Sequence, residues 1–335
     1  MDHFEEANVR NVGAFIKENG IQCDLRSVEA VDIAEDEETL EYLVDNLKER
    51  EENMGTSAIK YSVWNQEECK DLQCPTAVGA VAFPAYVMNP YKFVCTLLEM
   101  SISKGLNLQT NTPVLKISKE TVDGNWTVVT ERGDIEAENV ILATNAYTSA
   151  LYPPLKDFIT PVRGQIAAVR SGSKIAGNPA LKRTCQLMSG EYMQTRQEPF
   201  TGAGDLIIGG GRGYSSTREY NMTDDSTIHP KISAHLSRIV PRRFFGEKGW
   251  GEDAGVVMEW TGIMGYTEDG QPVIGQAPGE EGLWVCAGFH GHGMATTFQS
   301  AEALVGLMTG KSEEVGKWLP ECYRIERVPG VNQKA

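Results

Sequence analysis

Several features of membrane and secreted proteins are missing from this 335-residue sequence. No apolar run approaches the roughly 20 residues of a membrane-spanning helix. The first residues, Met1 to Glu6, have neither a basic flank nor an apolar stretch, so they do not resemble a signal peptide. Lys and Arg number 31 against 46 Asp and Glu, which gives a net charge of -15 and argues against nucleic acid or an anionic membrane as partner. We therefore expect a cytoplasmic protein.

Motifs for metal binding and for serine hydrolysis are also missing. The seven Cys include no C-x-x-C pair, and an odd number of scattered thiols is typical of reduced core residues. His290 and His292 have no Cys, Asp or Glu at ligand spacing, so we expect no metal site. Gly209-Gly210-Gly211-Arg212-Gly213 lacks the Lys-Ser/Thr of a nucleotide-binding loop, which favours the end of a strand. No G-x-S-x-G elbow occurs.

The periodicity of apolar residues changes along the chain and predicts two interleaved domains. An α/β region comprises 1–18, 80–160 and 258–312, and a strand-rich region comprises 19–79 and 161–257, with a tail over 313–335. The apolar run over 140–144 predicts a strand buried on both faces. Local patterns predict helices over 4–18, 37–51, 90–104, 230–240 and 295–308, and strands over 80–83, 114–118, 126–131, 140–144, 165–169, 192–195, 206–209 and 282–288.

The strongest local signal is a glycine-rich turn between a strand and a helix, Gly288-Phe289-His290-Gly291-His292-Gly293-Met294. Glycines at such a turn let the backbone approach a flat or anionic group that a Cβ would exclude. The helix that follows points unpaired N–H groups and a partial positive charge at the same place. The pattern indicates a site for a phosphate or for the N1/O2 side of a reduced flavin. A tight structural turn is an equally good interpretation of the spacing alone.

This turn follows the segment from Glu259 to Gly275, which contains Trp260-Thr261-Gly262 and Asp269-Gly270-Gln271-Pro272. Together they resemble the C-terminal signature of the D-amino-acid oxidase-like family, which includes glycine, sarcosine and γ-glutamylputrescine oxidases. The segments 107–114, 139–147 and 161–165 are similar to further signatures of that family, so the resemblance covers most of the chain. It implies a mixed α/β and α+β fold, with a Rossmann-like FAD-binding domain of the glutathione-reductase type and an interleaved substrate domain.

The resemblance implies roles for particular residues. Cofactor contacts fall on Gly288, Gly291, His292, Gly293 and Met294 at the flavin, Thr144 and Asn145 beside the ribose and pyrophosphate, and Val114 at the adenine. On the substrate side the candidates are Tyr192, Arg196 and Trp260, with Arg212 in reach of a substrate carboxylate. Ordinary core packing is the alternative for Tyr192 and Trp260. The implied reaction is hydride transfer from a C–H next to an amine nitrogen to flavin N5, followed by reoxidation by O2 or another acceptor.

Three departures from the family refine this prediction. Met264 and Gly291 stand where relatives that oxidise amino acids carry carboxylate-binding Arg residues, which favours an amine over an amino acid as the small-molecule substrate. No Cys lies near Trp260, so FAD is expected to bind non-covalently. The G-x-G-x-x-G unit with which relatives begin is not found in this sequence, so we expect an incomplete FAD-binding domain. The alternative hypothesis is a truncated, non-catalytic remnant that cannot bind FAD.

Overall fold

A computed structural model describes residues 1–54, 59–72, 74–119, 124–175, 183–195 and 204–331. The strands are β1 (Arg26–Ala34), β2 (Ser62–Asn65), β3 (Gly79–Val87), β4 (Val114–Lys119), β5 (Trp126–Thr130), β6 (Ile135–Ala137), β7 (Val140–Leu142), β8 (Ile159–Val169), β9 (Thr184–Leu187), β10 (Glu191–Thr195), β11 (Leu206–Gly209), β12 (Val256–Thr267), β13 (Val273–Gln276) and β14 (Leu283–Ala287). The α-helices are α1 (Asp2–Glu18), α2 (Glu37–Met54), α3 (Pro90–Ser103), α4 (Thr148–Leu151), α5 (Pro230–Ala234), α6 (Val240–Trp250), α7 (Gly293–Met308) and α8 (Ser312–Val315). Within these ranges no helix combines the length and apolar character needed to cross a membrane.

The largest element is an eight-stranded sheet in the order β12-β8-β11-β10-β9-β1-β3-β2. Its pairs are antiparallel except for β1 with β9, which run parallel. Because successive side chains alternate across a strand, the register divides the sheet into two faces. One face packs on the α5–α6 region and forms the main apolar core, whose members include Val31, Cys185, Leu187, Ile208 and Phe244. The opposite face carries two of the substrate-side candidates, Tyr192 and Trp260.

Two smaller sheets support the other half of the molecule. In the order β13-β14-β7, β14 runs parallel to β7, and β4-β5-β6 form an antiparallel meander. Helix α7 follows β14 and packs against α1. The coexistence of a parallel pair with antiparallel sheets confirms the mixed α/β and α+β class predicted from the sequence.

Helix α3 shows how local signals determine an element. Asn89 precedes Pro90, and its side-chain oxygen accepts a hydrogen bond from the Lys92 N–H at 3.2 Å. Proline suits the first helical position because it lacks the N–H that would otherwise be unpaired. The helix ends at Ser103, followed by Gly105 with a φ of +102°, as the sequence predicts.

The strand predicted over 140–144 is shorter and more exposed than expected. Strand β7 ends at Leu142 and pairs only with β14, so it forms an edge of its sheet in the described part of the chain. Ile141 is consequently 45% exposed. The prediction of burial on both faces is wrong, because the apolar run does not reveal how many strands flank it.

Two further segments differ from their predicted extents. The helix predicted over 230–240 continues to Trp250 through a π-helical turn, His235–Ile239, and a kink at Gly246. Strand β3, placed by the sequence prediction partly in the cofactor domain, pairs with β1 in the large sheet. The domain boundaries themselves stay a prediction.

Candidate active site

The glycine-rich turn lies between β14 and α7 and is fixed by Asn145. The Asn145 side-chain oxygen accepts hydrogen bonds from the Gly288 N–H at 3.0 Å and from the Phe289 N–H at 3.2 Å. Asn145 follows β7, and because β7 runs parallel to β14, both strands end at the same edge of their sheet. The structure therefore brings together two residues for which the sequence predicts cofactor contact, Asn145 and Gly288.

His290 holds the turn against the end of β12. The backbone N–H of His290 donates to the Gly265 carbonyl at 2.8 Å. The ring Nδ1 of His290 accepts from the Thr267 backbone N–H at 3.2 Å. The imidazole stacks on Tyr266 with ring centroids 4.1 Å apart. Burial, the neighbouring His292 and the charge of Arg212 lower the pKa of His290, which keeps Nδ1 free to accept. The anchoring role of His290 was not predicted from the sequence, and the flavin contact predicted for His292 stays a prediction.

The start of α7 is open to solvent. Gly291 and His292 are exposed, and Met294 is 58% exposed. Among the described residues no side chain caps the helix N-terminus, so the N–H groups of Gly293 and Met294 remain available to a ligand. The part of the turn from Gly291 onward is thus exposed, as a site for a flat ligand with an electron-rich edge requires, whereas Gly288 is buried.

Helix α1 holds α7 from behind through Asn8, which is fully buried. The Asn8 amide donates to the Met294 carbonyl at 3.1 Å, and its oxygen accepts from the Gln299 N–H at 2.9 Å. Asn8 lies in the helical pattern predicted over 4–18, but the apolar spacing gives no indication that a polar residue points inward there.

The register of the large sheet places Tyr192 and Trp260 on the same face. Tyr192 pairs with Gly209, Gly209 with Ile166, and Ile166 with Trp260. With strands about 4.8 Å apart, the two aromatic residues lie roughly 14 Å from each other across three steps. Tyr192 is 43% exposed, and its ring crosses over Gly209, where a Cβ would collide with it. The two aromatics therefore flank a shallow floor and do not form one continuous wall.

The same face meets the glycine-rich turn at the end of β12. Met264 and Tyr266 follow Trp260 at two-residue spacing, so they point to the same side. A Cβ at Gly291 would lie 3.5 Å from the Tyr266 Oη and 3.7 Å from the Met264 sulfur. The two-residue spacing of Trp260, Met264 and Tyr266 is visible in the sequence. The sequence analysis nevertheless did not predict Tyr266 as a site residue.

Arg212 extends from the loop after β11 towards these tyrosines. Gly210 and Gly211 precede it with φ values of +119° and +72°. The guanidinium carbon lies 4.8 Å from the centroid of the Tyr266 ring. Its Nη1 is buried and has no hydrogen-bond partner in the described part of the chain. Partial burial and nearby Tyr266 raise the pKa of Tyr192, against the opposing charge of Arg212, so the Tyr192 hydroxyl stays protonated and can donate.

For Val114 and Thr144 the structure gives local surroundings only. Arg196 lies outside the described residues. Val114 begins β4 in the separate meander, and the Thr144 hydroxyl is hydrogen bonded to that of Thr148 at 2.9 Å. Their cofactor roles stay predictions. Over the described ranges, no group of three or more His, Cys, Asp or Glu side chains is arranged to hold a metal ion.

Comparisons with known proteins agree with this geometry. A family model described as FAD dependent oxidoreductase matches residues 2–307. Glycine oxidase of Pseudomonas aeruginosa is 25% identical over 55% of this chain and 45% of its own length. The probable oxidoreductase OrdL of Rhizobium meliloti is 26% identical over 72% of this chain and 51% of its own. The chain thus spans about half the length of these relatives.

Solved structures give the same result for the fold. Glycine oxidase from Geobacillus kaustophilus superimposes with a TM-score of 0.71 at 20% identity, covering 91% of this chain and 78% of that one. L-proline dehydrogenase from P. horikoshii superimposes with a TM-score of 0.70 at 18% identity, covering 92% and 78%. As its sequence signatures predict, the chain belongs to the D-amino-acid oxidase (DAO) family of FAD-dependent oxidoreductases.

Proposed function

We propose that this protein oxidises a small amine that also carries a carboxylate, as an amino acid does, with FAD as cofactor. The observation that supports this substrate class is the buried, unpartnered Nη1 of Arg212 beside Tyr192 and Tyr266. A buried guanidinium nitrogen without a partner is costly, and a carboxylate is the planar acceptor that matches it. The absence of Arg at positions 264 and 291 favours a simple amine as substrate. In this proposal Arg212 takes over the binding of the carboxylate.

The residues present at the turn fit FAD. The backbone from Gly291 to Met294, with the N–H groups at the start of α7, would face the electron-rich edge of the flavin, and Asn145 would hold the turn in shape. FAD, when bound, supplies the electron-accepting chemistry for oxidation of the C–H next to nitrogen. We propose that it binds non-covalently, with O2 or another acceptor as oxidant.

The chain's own residues would orient the substrate and exclude water. Arg212 and the Tyr192 hydroxyl would bind the carboxylate, which points the amine along the sheet face towards the turn. Tyr266 lies under the Arg212 guanidinium and is itself held by the His290 ring. Ile166 and Trp260 would form the apolar floor on which water is displaced.

Two measurements on the full chain test this proposal. The chain is mixed with FAD, desalted, and examined for flavin absorbance. Anthranilate is then titrated as a carboxylate-bearing amine probe, with aniline as its uncharged counterpart. We expect flavin to be retained and Arg212→Met to weaken anthranilate binding about 10- to 100-fold, the worth of charged hydrogen bonds. Arg10→Met, which removes an exposed Arg on α1, is the matched control.

The outcomes separate the two parts of the proposal. A chain that retains no flavin would overturn the oxidoreductase function and support the non-catalytic remnant. Retained flavin with unchanged anthranilate binding in Arg212→Met would overturn only the carboxylate-bearing substrate.

A further inference from the structure

A buried acid–base pair lies beneath the proposed carboxylate site. The proposed function gives it no role, either at the glycine-rich turn or in contact with the substrate. His235 Nε2 and Glu191 Oε1 are 2.8 Å apart, and His235 and Glu191 are only 2% and 6% exposed. His235 opens the π-helical turn after α5, and Glu191 is the first residue of β10. The Nδ1 atom of His235 is buried without a partner among the described residues. This matches an imidazole that carries its proton on Nε2 and donates it in a hydrogen bond to Glu191.

Each member of the pair is attached to one of the two carboxylate anchors. Glu191 immediately precedes Tyr192 on β10. On the other side, a Cβ at Gly211 would lie 3.0 Å from the His235 ring, so the ring packs directly on the backbone next to Arg212. Tyr214, two residues beyond Arg212, stacks on the same imidazole with ring centroids 4.1 Å apart. The pair thus joins the loop that carries Arg212 to the strand that carries Tyr192.

The loop needs such a support because of its sequence. Three consecutive glycines, from Gly209 to Gly211, have the largest backbone entropy to lose and no side chains of their own to pack. Without an external contact, the position of Arg212 would be spread over many conformations, and binding would have to restrict them. The imidazole provides that contact on Gly211 and Tyr214.

Further charges hold Glu191 in place. Its second oxygen accepts from the Ser189 hydroxyl at 2.8 Å and lies 3.6 Å from Arg243 Nη1. Arg243 is in turn paired with Glu35. The carboxylate therefore cannot rotate away from His235 without losing several partners, which makes it a fixed acceptor.

We propose that the His235–Glu191 pair positions Arg212 and Tyr192 and thereby sets the affinity for the anionic end of the substrate. This inference rests on the proposed function. His235 and Glu191 are positioning residues, since neither reaches the substrate face itself.

The test uses the same two probes on the full chain with excess FAD. His235→Ala should weaken anthranilate binding about tenfold, the worth of one or two side chains left unrestrained, and leave aniline binding unchanged. His235→Gln keeps an amide N–H near the Nε2 position and should restore most of the loss. Tyr214→Ala should weaken anthranilate binding without lowering thermal stability, because Tyr214 is 47% exposed. Tyr42→Ala, at an exposed tyrosine on α2, is the matched control.

Two results would overturn the inference. In the first, Arg212→Met weakens anthranilate binding while Tyr214→Ala and His235→Gln behave like the control and His235→Ala has no effect. In the second, every variant weakens anthranilate and aniline equally, which indicates a general loss of structure. If Arg212→Met itself has no effect, the carboxylate-bearing substrate fails first, which separates that failure from this one.

Discussion

At the scale of single residues, the side-chain oxygen of Asn145 accepts hydrogen bonds from two consecutive amides of the glycine-rich turn. Asn145 also has a φ of +44°, a conformation that asparagine tolerates better than most residues. Gly265 packs against it so closely that a Cβ there would lie 2.7 Å from the Asn145 oxygen. One side chain thus holds the turn in shape and leaves no room for a Cβ at position 265.

Replacing Asn145 tests this arrangement. Asn145→Ala should lower the free energy of unfolding by about 2 kcal/mol, because it leaves two amides without their acceptor, and should reduce flavin retention. Asn145→Asp, which keeps an acceptor oxygen, should retain more of both. Chemical denaturation and flavin absorbance after desalting measure the two effects. Asn221→Ala is the control, since Asn221 has a similar φ of +57° on an exposed loop and isolates the backbone cost; equal losses in both variants would contradict the role of the hydrogen bonds.

Asp32 provides a second prediction at this scale. It lies on β1, and burial raises the pKa of its carboxyl from 3.8 to about 6. Between about pH 4 and 6, the Asp32 carboxyl is protonated in the folded state and ionised in the unfolded state. The free energy of unfolding therefore falls as the pH rises through this window. Asp32→Asn should abolish this loss and stabilise the protein above pH 6 by about 3 kcal/mol at most. Thermal unfolding from pH 4 to 8 measures it, with exposed Asp134→Asn as control; parallel pH profiles for wild type and Asp32→Asn would refute it.

At the scale of secondary-structure elements, the start of α7 depends on α1. The two helices are separated by nearly the whole described chain, yet Asn8 hydrogen bonds to both Met294 and Gln299. A buried amide that satisfies backbone groups of a neighbouring helix fixes the helix in register as well as in position. The uncapped N–H groups of α7 are therefore aimed by α1 and not by the turn alone.

Asn8→Ala should separate this aiming from the turn itself. We expect the free energy of unfolding to fall by about 2–3 kcal/mol, because two buried hydrogen-bond partners are lost. Flavin retention should fall with it, while anthranilate binding at Arg212 should depend less on Asn8. Thermal unfolding and desalting experiments measure these changes. Asn19→Ala at the exposed end of α1 is the control, and a stability loss there as large as in Asn8→Ala would count against the interpretation.

The sequence predicted elements well wherever the determining signal was local. Helix α3 is bounded by Asn89, Pro90 and Gly105 within a single segment, and the glycine-rich turn is bounded by its own glycines. Contacts between segments far apart in sequence were not predictable in this way. The parallel pairing of β1 with β9 and the support of Gly211 by His235 depend on how distant segments meet. Sequence signatures predicted Asn145 and Gly288 as site residues, but not the hydrogen bond between them.

At the scale of the whole molecule, exposed apolar side chains coexist with a strong negative charge. Ile141 on the β7 edge and Leu115 on β4, which is 56% exposed, present apolar surface, whereas the net charge of -15 keeps molecules apart. An exposed strand edge is also a template for pairing with another chain. The balance between these two effects depends on ionic strength, because salt screens the charge and leaves the apolar surface unchanged.

We therefore expect self-association that increases with protein concentration and with salt. Ile141→Lys should reduce it, because a lysine on an edge strand opposes edge-to-edge pairing. Sedimentation velocity at low and high salt measures the distribution of species. Val305→Lys, at an exposed apolar position on α7, is the control. A monomer at all concentrations and salt levels would contradict the expectation.

The bond from Asn145 to Gly288 joins residues 143 positions apart, and this separation has a kinetic consequence. A turn shaped by so distant a partner does not exist until a large loop has closed and β7 has paired in parallel with β14, which are slow steps for a chain to complete. Flavin present during refolding therefore finds no formed binding site before these steps are complete. We expect added FAD to leave the rate of refolding unchanged and to lower the rate of unfolding. The cofactor would then stabilise the native state without stabilising the transition state for folding.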